Sequence, residues 1–335
     1  MLRLPRYLCN PSIEPCLSLD PAIATLIRSK LLSLHGVEFS DNVTLPLSIN
    51  CPMIFNCRNL VRGDTDMANN SKQSVNRHAL GLDVLGTLSG NKDPESRAGA
   101  MIDELGPVGS YVVDHVFGTI WSRPEMDRRD RSLVVISMLI ALGGQPRQLA
   151  THVKGGLNHG LTPEEVREIA VHLSGYVGFP RAIEATRVIN KTIEDELGDT
   201  APAVTGAEPK SNADRHSDGL EIFDRLTETP NGPDIAARVS DLEEALGPLA
   251  DAAIDWGFGE LWSRPQLSQR DRSLLIVAML AVTGRDNQLT FHVPGALNNG
   301  VSREELEEVI LMVSVYAGFP VASSAMRIVR ELILP

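Results

Sequence analysis

The chain has 335 residues, 43% of them apolar, 22% charged and 4% aromatic, a composition that suits two cores of about 100 to 150 residues each and excludes general disorder. A formal net charge of −12 argues against a broad basic surface for nucleic acid. The longest apolar run, LVVISMLIAL over 133–142, has the length of a buried helix and falls short of the roughly 18 residues a membrane span requires.

Residues 1–76 carry every cysteine of the chain, Cys9, Cys16, Cys51 and Cys57, with no CxxC spacing. Pro5, Pro11 and Pro15 interrupt the apolar run at the start, so the segment reads as a poorly ordered leader and makes a weak signal peptide. The body that follows has no thiol for disulfide exchange, thiolate ligation or covalent catalysis. With no clear export signal, a cytoplasmic location is the default expectation.

From residue 77 the chain repeats itself. RHALGL at 77–82 corresponds to RHSDGL at 215–220, and FGTIWSRPEMDRRDRSLVVISMLIALGG at 117–144 to FGELWSRPQLSQRDRSLLIVAMLAVTG at 258–284. THVKGGLNHGLTPEEVREIAVHLSGYVGFP at 151–180 corresponds to FHVPGALNNGVSREELEEVILMVSVYAGFP at 291–320. The expected domains are therefore 77–196 and 215–335, joined by an Ala-, Pro- and Gly-rich linker over 197–214. A packed, pseudo-twofold pair is expected, because each copy can cover the other's apolar face.

Asp127 and Ser268 are placed to cap a helix apolar on almost every side, over 133–142 and 274–282, which implies that protein surrounds it. A second helix is expected over about 146–159 and 286–299, ending where Gly160 and Gly300 take a left-handed backbone. Thr162 with Glu165, and Ser302 with Glu305, are capping-box pairs for a third. Its polar positions Glu164, Glu168, Glu304 and Glu308 are expected to face water. Gly178 and Gly318 break the period, and Pro180 and Pro320 open a last helix. No clear strand alternation appears, and the fold class is all-α.

His152 and His292 lead the candidates for chemistry, since each copy places an imidazole on its middle helix. Gln148 and Gln288 lie four residues earlier on the same face, where an amide can orient the ring or contact substrate. The rings suit either a proton donor or a hydrogen-bonded core residue. Arg131 and Arg272, at the start of the buried helix, suit a bidentate grip on a substrate carboxylate, an internal ion pair, or a brace for the SRP turn at 122–124 and 263–265. His115, His159 and His172 have no histidine counterpart in the other copy and read as structure or surface. Trp121 and Trp262 read as core that can also wall a pocket, and Asn158 and Asn298 as backbone caps. His152 and His159 lack a carboxylate at metal-ligand spacing, so no metal is expected. Pro294, in place of Lys154, predicts a kink in the second copy.

Taken in order, WSRP, RDRSL, the histidine turn, LNHG or LNNG, TPEEVREI or SREELEEV, and YVGFP or YAGFP resemble the carboxymuconolactone decarboxylase family, which is related to the alkylhydroperoxidase D fold. The resemblance spans roughly 100–195 and 241–333. It implies tandem helical bundles and ring-like assemblies commonly of six domains, hence a homo-oligomer such as a trimer of tandem chains. The peroxidase branch pairs a CxxC and histidine with an upstream glutamate. Here Gln148 and Gln288 take the second cysteine's place and Ser132 or Leu133 the glutamate's, so that thiol route is denied. What the resemblance implies instead is cofactor-free decarboxylation of 4-carboxymuconolactone or a related carboxylated lactone, with His152 or His292 delivering the proton and Arg131 or Arg272 holding the anion. A catalytically inactive, ring-forming ligand binder is the alternative, and a hydroperoxide-linked oxidoreductase a weaker one.

Overall fold

The structure, a computed structural model, describes residues 67–199 and 210–333. Residues 1–66, which hold the four cysteines and most of the expected leader, and residues 200–209 of the expected linker lie outside those residues. All regular elements among the described residues are helical.

The first copy comprises α1 (Met67–Ser89), α2 (Pro94–Leu105) and α3 (Pro107–Tyr111). Helix α3 runs directly into a π-helical segment, Val112–Trp121, and is followed by α4 (Arg128–Leu142), α5 (Pro146–Asn158), α6 (Pro163–Val177) and α7 (Phe179–Leu197). The second copy repeats the order with α8 (Asn212–Thr227), α9 (Ile235–Leu246), α10 (Pro248–Ala252), a π-helical segment Ala253–Trp262, and α11 (Gln269–Val282). It closes with α12 (Asp286–Asn298), α13 (Arg303–Tyr316) and α14 (Phe319–Ile333). None of these helices is long and apolar enough to cross a membrane.

Local chemistry sets most of the helix ends. Ser268 accepts from the Asp271 amide, and the Thr162–Glu165 and Ser302–Glu305 pairs both close complete capping boxes. Asp127 stands at the N-cap of α4 without a side-chain hydrogen bond. Despite Pro294, α12 continues without interruption from Asp286 to Asn298, so the expected kink does not divide the helix.

The π-helical segments have no signature in the sequence pattern. Their placement follows a close backbone crossing. A Cβ added at Gly118 would sit 2.0 Å from the Arg77 carbonyl oxygen, and one at Gly81 2.1 Å from that of Val113. Gly259 and Gly219 make the same crossing in the second copy, at 2.0 Å from the Arg215 oxygen and 2.2 Å from that of Ile254. Only hydrogen fits where backbone meets backbone, so α1 and α8 lie directly on the segments that end at Trp121 and Trp262.

Helices α4 and α11 are buried along almost their whole length and pack against each other at the centre. The Ser137 hydroxyl donates to the Leu275 carbonyl across this contact at 2.6 Å. The starts of these helices exchange charges. Arg129 donates to both oxygens of Asp271, at 3.0 and 3.1 Å, and Arg270 pairs with Asp130 at 2.9 Å. The expected packed pair is thus one body with reciprocal contacts between its copies.

Glu168 and Glu308 correct the expectation that they face water, being only 2% and 3% exposed. Each reaches across to the other copy. Glu308 accepts from Arg131 at 2.8 Å and from Arg123 at 2.7 Å, while Glu168 accepts from Arg272 at 3.0 Å and from Arg264 at 2.9 Å. Glu164 and Glu304 are exposed as expected.

Candidate active site

Each copy builds a tryptophan–histidine stack, and the other copy closes it with a tyrosine. Trp121 ends its π-helical segment and stacks on His152 of α5, with ring centroids 5.7 Å apart at 21°. Tyr316, the last residue of α13, places its hydroxyl 3.3 Å from Trp121 Nε1 and 3.2 Å from His152 Nε2. The reciprocal site stacks Trp262 on His292 at 6.0 Å and 11°. There Trp262 Nε1 donates to the Tyr176 hydroxyl at 2.7 Å, and the Tyr176 ring stands edge-on to His292 at 5.7 Å.

The tyrosines arrive there because α6 and α13 stop at once beyond them. Gly178 and Gly318 adopt φ of +82° and +86°, a left-handed backbone that lets Pro180 and Pro320 start the next helix.

The hydrogen-bond pattern assigns the His152 tautomer. Trp121 donates to the tyrosine oxygen, so the phenol hydrogen is free to point at Nε2, which leaves the proton of the neutral ring on Nδ1. That atom is buried and has no partner among the described residues, and the same holds for Nδ1 of His292. Burial lowers both imidazoles from 6.5 to about 3, so both are neutral at neutral pH. Burial also raises the Tyr176 and Tyr316 phenols above their ordinary range, against the hydrogen bond from tryptophan.

These shifts carry a stability consequence. The unfolded chain takes up protons near pH 6.5 where the folded rings do not, so the stabilisation from neutral, buried histidine is complete above pH 6.5 and is lost as pH falls toward 3. Urea denaturation of wild type and of the His152→Gln/His292→Gln double variant at pH 7.5 and 4.5 tests this. Acidification should cost the wild type on the order of 2 kcal/mol per histidine more than the variant. An equal loss in both proteins would mean that the rings are not desolvated.

The other sequence candidates fall in different surroundings. Arg131 and Arg272 are fully buried, and both take part in internal hydrogen bonds and ion pairs. Arg131 donates to Glu308 and to the Met126 and Arg123 carbonyls. Arg272 donates to Glu168, the Arg264 carbonyl and His172 Nδ1. Burial lowers both guanidinium groups and the paired carboxylates oppose it. Gln148 and Gln288 are exposed, and neither is hydrogen-bonded to its histidine.

Sequence reasoning passed over the tyrosines as site residues and read His172 as structure or surface. His172 is fully buried, 5.0 Å from the Trp262 ring and 5.8 Å from Tyr176, and accepts from Arg272 at 2.9 Å. Its counterpart in the first site, Met312, offers only a sulfur, 3.5 Å from Arg131 Nη1. His159 bridges Ser132 at 2.8 Å and Thr87 at 3.0 Å, while Asn299 in its place bonds Ser273 at 3.0 Å. Asn158 and Asn298 hold backbone carbonyls at the ends of α1 and α8. The one signal that could have found the tyrosines is their identical place in the YVGFP and YAGFP motifs. No cluster of potential metal ligands occurs among the described residues.

Known proteins share these segments. A 4-carboxymuconolactone decarboxylase of Acinetobacter baylyi is 34% identical over 118 residues, 35% of this chain and 86% of that protein. A nitrosuccinic acid decarboxylase of Metarhizium robertsii is 35% identical over 123 residues, 36% of this chain and 78% of that protein. Peroxisomal protein 2 of Schizosaccharomyces pombe is 27% identical over 143 residues, 42% of this chain and 63% of its own length. The profile of the carboxymuconolactone decarboxylase family matches residues 107–191 and again 248–331, a span that takes in both tryptophans, both stacked histidines and both tyrosines. With two such domains in tandem, the chain belongs to the carboxymuconolactone decarboxylase family.

Proposed function

We propose that the chain is a cofactor-independent decarboxylase acting on 4-carboxymuconolactone or a related carboxylated lactone. The observation that carries this reading is the buried, unpartnered Nδ1 of His152 and His292, present in both copies beside a tryptophan and a tyrosine. A buried polar atom without a partner is costly, and a catalytic role is one of the reasons such an atom persists. The two decarboxylases among the relatives support the reaction class.

In the proposed reaction the bond from the ring carbon to the carboxylate breaks and its electron pair enters the conjugated lactone. Carbon dioxide leaves, and one proton from imidazole reaches carbon. The substrate itself is the electron sink. Imidazole is neutral before substrate binds, and an arriving carboxylate in a desolvated site favours the charged ring, so the proton enters with the substrate. Tyr316 and Tyr176 position the ring and exclude water, while Arg131 and Arg272 hold the two copies together through Glu308 and Glu168.

Assembly into a homo-oligomer, with three tandem chains completing a six-domain ring, is part of the proposal. Val108, Leu249, Tyr111 and Phe319 are 60%, 62%, 66% and 66% exposed, large apolar side chains that an assembly would cover. Light scattering after size exclusion reads the mass directly. The activity test is release of carbon dioxide from 4-carboxymuconolactone by purified protein with no added metal or cofactor. Folded protein that leaves this lactone unchanged would remove the substrate assignment.

A further inference from the structure

The two composite sites differ at their outer edge. A cleft of about 460 Å³ lies over Tyr176, between the copies, and Arg181, Thr283, Arg285 and Gln288 line it. This volume is within the range of small-molecule sites, about 300 to 1,000 Å³. Aspartate and glutamate are absent from the lining, in a chain whose formal charge is −12. Arg181 is anchored, donating to the Ala141 carbonyl. Arg285 stands at the N-cap of α12, is exposed, and has no ion-pair partner among the described residues. Beneath the cleft, Tyr176 takes the hydrogen bond from Trp262 and meets the face of the His292 site.

The repeat shows what the other site has instead. Where the second site carries Arg181, Arg285 and Thr283, the corresponding positions around the first are Val321, Gln145 and Leu142. Both of these guanidinium groups therefore belong to the second site, and the first site has neither. An arginine pair facing a cleft without acids recognises carboxylates, by charge and by the fork of N–H donors.

We infer that the cleft over Tyr176 binds a small di- or tricarboxylate through Arg181 and Arg285, and that the His292 site, rather than the His152 site, receives the anionic substrate. The second part rests on the decarboxylase reading; the first does not. Charge-directed binding here also supplies an anion-holding function from exposed guanidinium groups, whereas those of Arg131 and Arg272 are buried and bonded to Glu308 and Glu168.

Isothermal titration of the full chain with tricarballylate, which has no lactone and cannot turn over, tests the cleft. One site per chain is expected. Arg181→Val and Arg285→Gln, which install the first copy's residues, should each weaken binding at least tenfold, and the double variant should abolish it. Transferring the pair with Gln145→Arg/Val321→Arg should raise the stoichiometry toward two. No binding by folded wild type, or unchanged affinity in the Arg181→Val/Arg285→Gln variant, overturns the inference. Binding as expected without turnover of 4-carboxymuconolactone upholds the cleft and sinks the substrate assignment alone. Turnover that survives His292→Gln but not His152→Gln overturns the assignment of substrate to the His292 site.

Discussion

Replacing His292 with glutamine is expected to reduce turnover of 4-carboxymuconolactone by about 10²- to 10⁴-fold, the usual contribution of a positioned proton donor. His292 is 6% exposed and stacked on Trp262, so the amide occupies much of the same space while lacking a group that gives up a proton. His152→Gln should have the smaller effect, because the arginine-lined cleft is bordered by Tyr176, whose ring meets that of His292. Initial rates of carbon dioxide release for the two single variants and the double variant decide the matter. Full activity in the double variant would show that imidazole is not the donor. Retained circular dichroism and an unchanged oligomeric mass separate loss of chemistry from loss of fold.

A large stability effect is expected at Glu308. Glu308→Met leaves the Arg131 guanidinium, which is fully buried, without its carboxylate, and should destabilise the fold by about 3 to 5 kcal/mol. Arg123 loses the same partner but its side chain is 40% exposed and can turn to water. Arg131→Met/Glu308→Met should recover most of the loss, since an apolar pair of similar volume removes the stranded charge. Equilibrium urea unfolding measures both. A Glu308→Met variant as stable as wild type would mean that the ion pair contributes nothing to holding the copies together.

The duplication and its helices were legible because their causes are local. Apolar runs over 133–142 and 274–282, capping boxes at Thr162 and Ser302, and glycines at 178 and 318 each act within a few residues of the feature they produce. The π-helical segments were not legible, because they answer to backbone approaching from α1 and α8, a contact between segments distant in the chain. Glu168 and Glu308 were misplaced for a related reason. On an isolated helix a glutamate beside other charged residues belongs to the wet face, and only the other copy's arginines make its burial tolerable.

His152 and His292 stood out because duplication repeats them on the same helix. His172 did not, since it occurs once and gains its meaning from Arg272, which reaches it from the other copy. Arg131 and Arg272 were left between a ligand grip, an internal ion pair and a brace for the SRP turn, because their partners come from the other copy's glutamates and from carbonyls of that turn.

What the sequence by itself determined is the helical repeat, the absence of thiols from the body, the histidine in each copy and the family motifs, all of which depend on residue identity and short-range spacing. Only the tertiary structure decided that each copy's Trp–His stack is finished by the other copy's tyrosine, that the central arginines pair with the other copy's glutamates, and that Arg181 and Arg285 line one cleft beside Tyr176. Those outcomes depend on which groups meet across the interface between copies, where desolvation makes each polar atom's partner the controlling quantity.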